Sequence, residues 1–278
     1  MRVNRKGQSV NIQEMHASNA RAWDEAAAHY ETEIQADIEF LRAGGKNFCE
    51  PELAYLGDLA QWCGRAIHLQ CAGGRDTLSL WNLGAQSVVG VDINTRMLAC
   101  ATAKAQALGA PAQWVCSDIL KTPRELDGTA DLVYTGRGAL CWLMDLDAWA
   151  RVIARLLKPG GKLYVFDGHP MDWLWDGSSA HYQLYADDVS YFQRAPVSSV
   201  GWPASYIPAE TQAKQPAIKW ERQWMLGEIV NALLAAGLRL LRLEEHPHRY
   251  WDIFPNMPRE LQDRLPHTFS LWVEKPVG

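Results

Sequence analysis

The sequence IHLQCAGGRDT, residues 67–77, connects a short apolar run to the beginning of a helical pattern. Its small residues Ala72, Gly73 and Gly74 let the backbone approach a ligand closely, and the helix that follows directs free N–H groups to the same place. A strand, a turn of small residues and a helix are typical of a parallel sheet that binds its ligand beyond the carboxyl ends of the strands. This stretch therefore predicts both a fold and the position of a site.

The same alternation of strand-like runs and helical patterns continues through most of the chain. Apolar runs of strand length lie at 66–71, 87–91, 113–116, 132–135, 162–166, 238–244 and 268–273. Helical spacing of apolar residues lies at 14–43, 51–63, 75–84, 95–108, 145–157 and 224–236. Alternation of this kind predicts an α/β fold, in which a mainly parallel sheet carries helices on both faces.

Two segments lie outside this alternation. Residues 1–63 are predicted to form an N-terminal helical cap, and residues 64–278 the α/β core. Within the core, residues 168–223 are rich in aromatic residues, proline and glycine and show little periodicity. Because they follow the fifth strand, we interpret them as an insertion that forms a lid over the site.

Length and charge limit the class of partner. The 278 residues suit one large α/β domain, and the net charge of −5 argues against nucleic acid or an anionic membrane as the main partner. The basic start, residues 1–7, precedes no apolar run, and no stretch approaches the roughly 18 apolar residues of a membrane span. The six cysteines form no Cys-x-x-Cys pair, which predicts free thiols in the cytoplasm.

Acidic residues follow two of the predicted strands at the point where each strand ends. Asp92 ends the second strand, where a carboxylate accepts hydrogen bonds from ribose hydroxyls. Capping of the next helix is the other use for this carboxylate, but Asn94 and Thr95 are better placed for it. Asp118 ends the third strand, where it can accept from an adenine amino group. These residues predict a nucleoside-bearing cofactor at this edge of the sheet.

Several short motifs, taken together, resemble a known family. They are HLQC at 68–71, VD at 91–92, SD at 117–118, GALCWL at 138–143, LKPGG at 157–161, HP at 169–170 and LGEIVNAL at 226–233. From about residue 19 onward the chain resembles the class I, Rossmann-like methyltransferases that use S-adenosylmethionine. Within them it resembles a bacterial subgroup with His-Leu-Gln-Cys in the first motif.

The resemblance implies a fold, a cofactor and a set of cofactor residues. It implies a seven-stranded sheet whose last strand is antiparallel, with S-adenosylmethionine bound at the carboxyl edge. Near the start, Asn19, Trp23 and Tyr30 match an Asn, Trp, Tyr pattern that such enzymes place over the cofactor. The expected cofactor residues are Trp23, Tyr30, Gln70, Ala72, Gly73, Gly74, Asp92, Ile93, Met97, Ser117, Asp118, Ile119, Thr135 and Gly136.

The acceptor of the methyl group is expected to be a small aromatic or amine-bearing molecule, with nitrogen slightly favoured over oxygen or sulfur. Five of the 13 tryptophans lie between residues 173 and 224, and aromatic faces bind flat or cationic molecules. Packing of the insertion onto the core is the other explanation for these rings. The expected substrate residues are Arg137, Trp142, Trp173, Trp175, Tyr182 and Trp224, with His169 as a candidate general base.

The sequence leaves two other functions open. A methyltransferase-like protein could hold the cofactor without turnover. A nicotinamide-dependent oxidoreductase would use the same ribose carboxylate but needs Gly-x-Gly-x-x-Gly, which residues 70–74 do not supply. The pair His246 and His248 lacks neighbouring ligands at metal-binding spacing, so we expect no metal site. The sequence does not indicate an oligomeric state.

Overall fold

A computed structural model describes residues 11–204, 206–207 and 212–278. Its helices are α1 (Ile12–Arg42), α2 (Glu50–Leu56), α3 (Arg75–Asn82), α4 (Thr95–Leu108), α5 (Leu146–Leu156), α6 (Leu226–Ala235) and α7 (Arg259–Gln262). Its strands are β1 (Arg65–Leu69), β2 (Ser87–Asp92), β3 (Ala112–Cys116), β4 (Ala130–Gly136), β5 (Leu157–Gly168), β6 (Val197–Val200), β7 (Ile218–Glu221), β8 (Arg239–His246) and β9 (Thr268–Glu274). The basic stretch at residues 1–7 and the rest of the first ten residues of the expected cap lie outside the described residues.

The main sheet has seven strands in the order β3-β2-β1-β4-β5-β9-β8. The first five are parallel to one another, and β9 runs antiparallel to both of its neighbours. The expected seven-stranded sheet with an antiparallel last strand is thus confirmed. Because β1 lies between β2 and β4, the chain changes direction across the sheet at this point, and a crevice opens beyond the ends of these strands.

Apolar side chains cover both faces of the sheet. On one face α5 and α6 bury Trp149 and Ile229 against strand residues such as Val133. On the other, Leu56 of α2 and Leu80 of α3 pack over the alternate strand residues. Burial on both faces explains why the central strands read as nearly continuous apolar runs in the sequence.

The structure differs from the sequence-based expectations in two places. The helix expected at 51–63 ends at Leu56, because Gly57 adopts a left-handed φ of 57° that a helix cannot continue through. The insertion, which shows little periodicity in the sequence, contains an antiparallel hairpin of β6 and β7 that was not predicted. These strands have four residues each, which is too short for an alternating pattern to stand out.

None of the helices in the described part of the chain is long and apolar enough to cross a membrane.

Candidate functional site

A cavity of about 450 Å³ lies at the carboxyl ends of the central strands, where the fold predicts a ligand. Its wall consists of α1, the turn after β1, the ends of β2 and β3, the segment after β4, and the loop between β8 and β9. Sites for small molecules occupy roughly 300–1,000 Å³. The cavity is therefore large enough for a ligand of the size of a cofactor.

The turn after β1 brings the backbone close to the cavity. Gln70 and Ala72 have positive φ angles of 59° and 44°, and Gly74 one of 78°. An added Cβ at Gly74 would lie 2.6 Å from the Cβ of Ala101, so α4 leaves room for glycine alone. The Gln70 side chain donates from Nε2 to the Ala139 carbonyl over 2.8 Å, while its Oε1 is buried with no partner among the described residues. An acceptor atom in that state is suited to an N–H group of a ligand.

Asp92 supplies a carboxylate at the end of β2. Its Oδ2 accepts from the Ala72 N–H at 2.8 Å and its Oδ1 from the Asn94 N–H at 2.9 Å. Asn94, rather than Asp92, caps α4 by accepting from the Met97 N–H. Burial raises the pKa of Asp92, and these backbone N–H groups oppose that shift. A carboxylate has lone pairs beyond the two used here, so Asp92 can also accept from a ligand hydroxyl.

Asp118, at the end of β3, is joined to α1 by a histidine that was not predicted from the sequence to lie at the site. His16 Nδ1 lies 2.8 Å from Asp118 Oδ2, and the Met144 N–H donates to His16 Nε2 at 3.2 Å. Since Nε2 accepts, Nδ1 carries the proton and donates to Asp118. Although burial acts in the opposite direction, the hydrogen bond from His16 keeps the pKa of Asp118 below its ordinary value. The carboxylate is therefore ionised and faces the cavity in a fixed orientation.

Aromatic rings from separate parts of the chain close one side of the cavity, and we call Trp23, Tyr30, Trp142, Tyr206 and Trp251 the aromatic cover. The centroids of Trp23 and Trp142 lie 5.2 Å apart, and those of Tyr206 and Trp251 lie 5.5 Å apart. Tyr206 donates a short hydrogen bond to the hydroxyl of Tyr30. Burial raises the pKa of Tyr30 to about 12, so its phenol is protonated at neutral pH. Because these rings contact one another, they form a continuous wall over the cavity.

Arg137, directly after β4, lies in a buried polar network. Its backbone has a positive φ of 60°, and its Nη1 donates to the Asn47 carbonyl at 2.7 Å. Asp76 lies 3.4 Å from the same nitrogen, and Glu52 lies 3.6 Å from Nε. Burial alone would lower the pKa of Arg137, but Asp76 and Glu52 raise it. The guanidinium is thus paired with two acidic side chains of the protein, so it is not free to bind a carboxylate of the substrate.

Glu52 gives this network a pH dependence that can be measured. Burial raises the pKa of Glu52 to about 7, with Arg137 and the Tyr134 hydroxyl opposing the shift. A carboxyl with a raised pKa binds protons more tightly in the folded state, so its contribution to stability is present below the unfolded pKa and is lost as pH rises through about 7. We expect Glu52→Gln to remove this part of the pH dependence, because the amide is neutral throughout.

Urea unfolding at about pH 5 and about pH 8 tests this expectation. The free energy of unfolding should fall more between these two values in the wild type than in Glu52→Gln. Glu50→Gln is the matched control, since Glu50 lies on the same helix but its side chain is 80% exposed. If Glu52→Gln retained the wild-type pH dependence, the raised pKa of Glu52 would be wrong.

Most residues expected at the cofactor are brought together at the cavity wall. Those that line it are Trp23, Tyr30, Gln70, Ala72, Gly73, Gly74, Asp92, Ile93, Met97, Asp118, Ile119 and Gly136. Ser117 and Thr135 are not part of this wall. The Ser117 hydroxyl donates to the Asp118 carbonyl, and Thr135 is fully buried within β4. Asn19 lines the cavity too, and its side-chain amide pairs with the backbone of Trp220 in β7.

The residues expected at the substrate are mostly elsewhere. Arg137 and Trp142 line the cavity, whereas Trp173, Trp175, Tyr182 and Trp224 do not. Trp224 is buried in the core and donates to the Leu143 carbonyl, and Tyr182 stacks on His267. Trp224 and Tyr182 therefore pack against other parts of the chain, which is the alternative left open for these rings. Among the described residues of the insertion, Tyr206 is the one that reaches the cavity.

His169 does not reach the cavity either. Its Nε2 lies 2.8 Å from Glu245 Oε1, and its Nδ1 accepts from the Met171 N–H at 3.2 Å. Both ring nitrogens are therefore engaged within the protein, and burial lowers the pKa of His169. This geometry fits a histidine that orders the turn after β5, and it gives no support to the expected role as general base.

Several residues that line the cavity were not predicted from the sequence. Asp76 could have been found, because an acidic residue in the first turn of α3 lies next to the turn of small residues. His16, Tyr206, Tyr250 and Trp251 come from α1, the insertion and the loop between β8 and β9. No spacing in the sequence connects these positions to the strand ends. In the described parts of the chain, no group of three His, Cys, Asp or Glu side chains is placed to hold a metal ion.

Comparison with known families and structures yields one domain match. Residues 67–165, which run from β1 into β5, match the methyltransferase domain family. No curated protein matches the chain.

Solved structures are similar over most of the chain. An S-adenosylmethionine-dependent methyltransferase from Listeria monocytogenes is 18% identical, with a TM-score of 0.59 over 81% of this chain and 96% of its own. One from Clostridium acetobutylicum is 16% identical, with a TM-score of 0.58 over 91% of this chain and 99% of its own. The cyclase SpnF is 18% identical, with a TM-score of 0.52 over 89% and 94%. Likeness at this level of identity shows a shared fold.

Proposed function

We propose that this chain methylates a small aromatic or amine-bearing molecule. The premise is that the chain is an S-adenosylmethionine-dependent methyltransferase with the Rossmann-like fold of that class. A nitrogen acceptor is favoured over an oxygen or sulfur one. The observation that carries this proposal is the aromatic cover, which closes one side of a cavity of about 450 Å³. A space of this size suits a cofactor with a small second molecule beside it.

The residues of the cavity fit S-adenosylmethionine, which supplies an activated methyl group when bound. Asp92 would accept from the ribose hydroxyls, and Asp118 would accept from the adenine amino group. The buried, unpartnered Oε1 of Gln70 would accept from the amino group of the methionine portion. Gly73 leaves space there, since an added Cβ would approach Tyr30 to 3.2 Å and Lys104 Nζ to 3.3 Å.

The charge of the wall supports a neutral or cationic acceptor. Five carboxylates line the cavity, from Glu33, Asp37, Asp76, Asp92 and Asp118. Three cations, Arg75, Lys104 and Arg137, line it as well, which leaves an excess of two negative charges. A sulfonium cofactor and an amine are both attracted to such a wall, and an anionic acceptor is disfavoured.

Cofactor binding without methyl transfer is the second candidate function. The chain also shares its fold with a cyclase, and one fold can host several activities, which favours cofactor binding without methyl transfer as the second candidate. Turnover of an acceptor separates the two candidates.

Ligand binding followed by turnover tests the proposal. We expect S-adenosylmethionine and S-adenosylhomocysteine each to raise the unfolding temperature, by an amount equivalent to about 2.7 kcal/mol at a concentration of one hundred times Kd, and NAD to leave it unchanged. Labelled S-adenosylmethionine offered with pools of small amines, phenols and thiols should methylate the amine pool most. Stabilisation by NAD alone, or faster methylation of protein or RNA than of every pool, would contradict the proposal.

A further inference from the structure

Asp167, near the end of β5, is a fully engaged carboxylate next to the cavity. Its Oδ1 accepts from the N–H groups of Gly138 and Gly168, each at 2.7 Å, and from the Tyr250 hydroxyl at 3.1 Å. Its Oδ2 accepts from the Leu140 N–H at 2.9 Å. Asp167 therefore fixes the segment after β4 and the Tyr250 side chain in one arrangement.

The phenol proton of Tyr250 is already used in a hydrogen bond to Asp167. Because the hydroxyl donates to Asp167, its oxygen remains able to accept a hydrogen bond. The Gly168 N–H, which donates to Asp167 Oδ1, also approaches this oxygen and acts to lower the pKa of Tyr250. Burial, together with the Asp167 carboxylate, raises the pKa of Tyr250, so the phenol is protonated at neutral pH. Tyr250 lines the cavity, and its oxygen would lie 3.7 Å from a Cβ placed on Gly138, which also lines it.

The order of the strands indicates which part of the site this oxygen faces. Under the proposed function, adenine lies at β3, the ribose at β2 and the methionine portion at β1. The next strands across the sheet are β4 and β5, so the acceptor lies at their ends. Gly138 follows β4, and Asp167 and Gly168 end β5. Tyr250 is held against these three residues, on the acceptor side of the cavity.

Two other polar side chains around this side are held by partners within the protein. The Arg137 guanidinium is paired with Glu52 and Asp76. His68 Nδ1 bonds to the Thr77 hydroxyl at 2.8 Å, and burial lowers the pKa of His68 to about 4. Tyr250 lines the same side, and its phenol oxygen can accept a hydrogen bond while its proton goes to Asp167.

We propose that Tyr250 binds the acceptor through its phenol oxygen, which accepts a hydrogen bond from an N–H of a neutral nitrogen nucleophile. This inference rests on the proposed function. That contact fixes the nitrogen so that its lone pair faces the methyl group. The nitrogen forms the new carbon–nitrogen bond as the carbon–sulfur bond breaks, and the positive charge passes from sulfur to nitrogen. The extra proton on nitrogen then leaves to water. Tyr250 gives up no proton in this reaction.

Sinefungin tests the contact without the need to know the acceptor. In this cofactor analogue, an amine-bearing carbon replaces the methyl-bearing sulfur, so its amine projects to the acceptor side. We expect the wild type to bind sinefungin roughly tenfold or more tightly than S-adenosylhomocysteine, the scale of a hydrogen bond to a charged group. Tyr250→Phe should remove most of this preference and leave the affinity for S-adenosylhomocysteine unchanged. Calorimetric titration measures both ligands.

Two further variants make the test specific. Tyr55→Phe is the matched control, because Tyr55 also donates to a carboxylate, Glu244, but lies outside the cavity wall. It should keep the preference for sinefungin. Gly168→Ala should reduce the preference while the phenol remains, since its Cβ would lie 2.9 Å from the Tyr250 oxygen and displace it.

The possible failures are distinguishable. A wild type that binds neither ligand would overturn the proposed function, and with it this inference. A wild type that binds S-adenosylhomocysteine but shows no preference for sinefungin would overturn the inference alone. So would a Tyr250→Phe variant that keeps the preference, or one that loses affinity for both ligands equally.

Discussion

Replacing Asp92 with alanine is expected to weaken the binding of S-adenosylhomocysteine by about 2–3 kcal/mol, the scale of charge-assisted hydrogen bonds. The carboxylate at the end of β2 is 9% exposed and lines the cavity. It also accepts from the N–H groups of Ala72 and Asn94, so it orients the turn after β1 and would bind the ribose from there. Isothermal titration of the folded variant measures the loss.

Asp131→Ala is the control for this experiment. Asp131 also accepts a backbone N–H, from Arg65 at 2.8 Å, and it pairs with Lys158, but it is not part of the cavity wall. A general loss of stability should appear in both variants, whereas loss of affinity should appear in Asp92→Ala alone. Unchanged affinity in a folded Asp92→Ala variant would show that the nucleoside lies elsewhere.

The strand ends explain why most residues expected at the cofactor meet at one wall of the cavity. Gln70, Asp92 and Asp118 follow β1, β2 and β3 directly, and parallel strands bring such positions to one edge. Local chemistry also separates their roles, since Asn94 caps α4 and leaves Asp92 for a ligand. Residues close in sequence determine this geometry, so the sequence alone could place these side chains at one edge of the sheet.

The acceptor side could not be predicted in this way, because it depends on contacts between distant segments. Tyr206 meets Tyr30 across 176 positions of sequence, and Tyr250 meets Asp167 across 83. The sequence shows many aromatic residues in the insertion, but it does not show which of them pack inward. Trp224, directly after the insertion, is buried in the core and donates a hydrogen bond to the Leu143 carbonyl. The count of tryptophans therefore indicated an aromatic wall without identifying its members.

Replacing Asp37 with alanine is expected to lower the free energy of unfolding by about 3–5 kcal/mol. Asp37 of α1 lies 2.6 Å from the Nζ of Lys104 in α4, and both residues are buried. Arg75 of α3 lies 3.2 Å from the same carboxylate. Without Asp37 the Lys104 ammonium stays buried with no counter-charge, which costs far more than the lost attraction alone. Urea unfolding without ligand measures the change.

The same two helices provide the control, because an exposed pair also joins them. Asp24 of α1 lies 3.6 Å from Arg96 of α4, and both side chains are more than a third exposed. Asp24→Ala should cost less than about 1 kcal/mol, since water screens such a pair. The double variant Asp37→Leu with Lys104→Met should recover most of the loss, because it removes both buried charges at once. If the double variant were as unstable as Asp37→Ala, packing rather than charge would explain the effect, and α1 would depend on the shape of Asp37 instead of its ion pair.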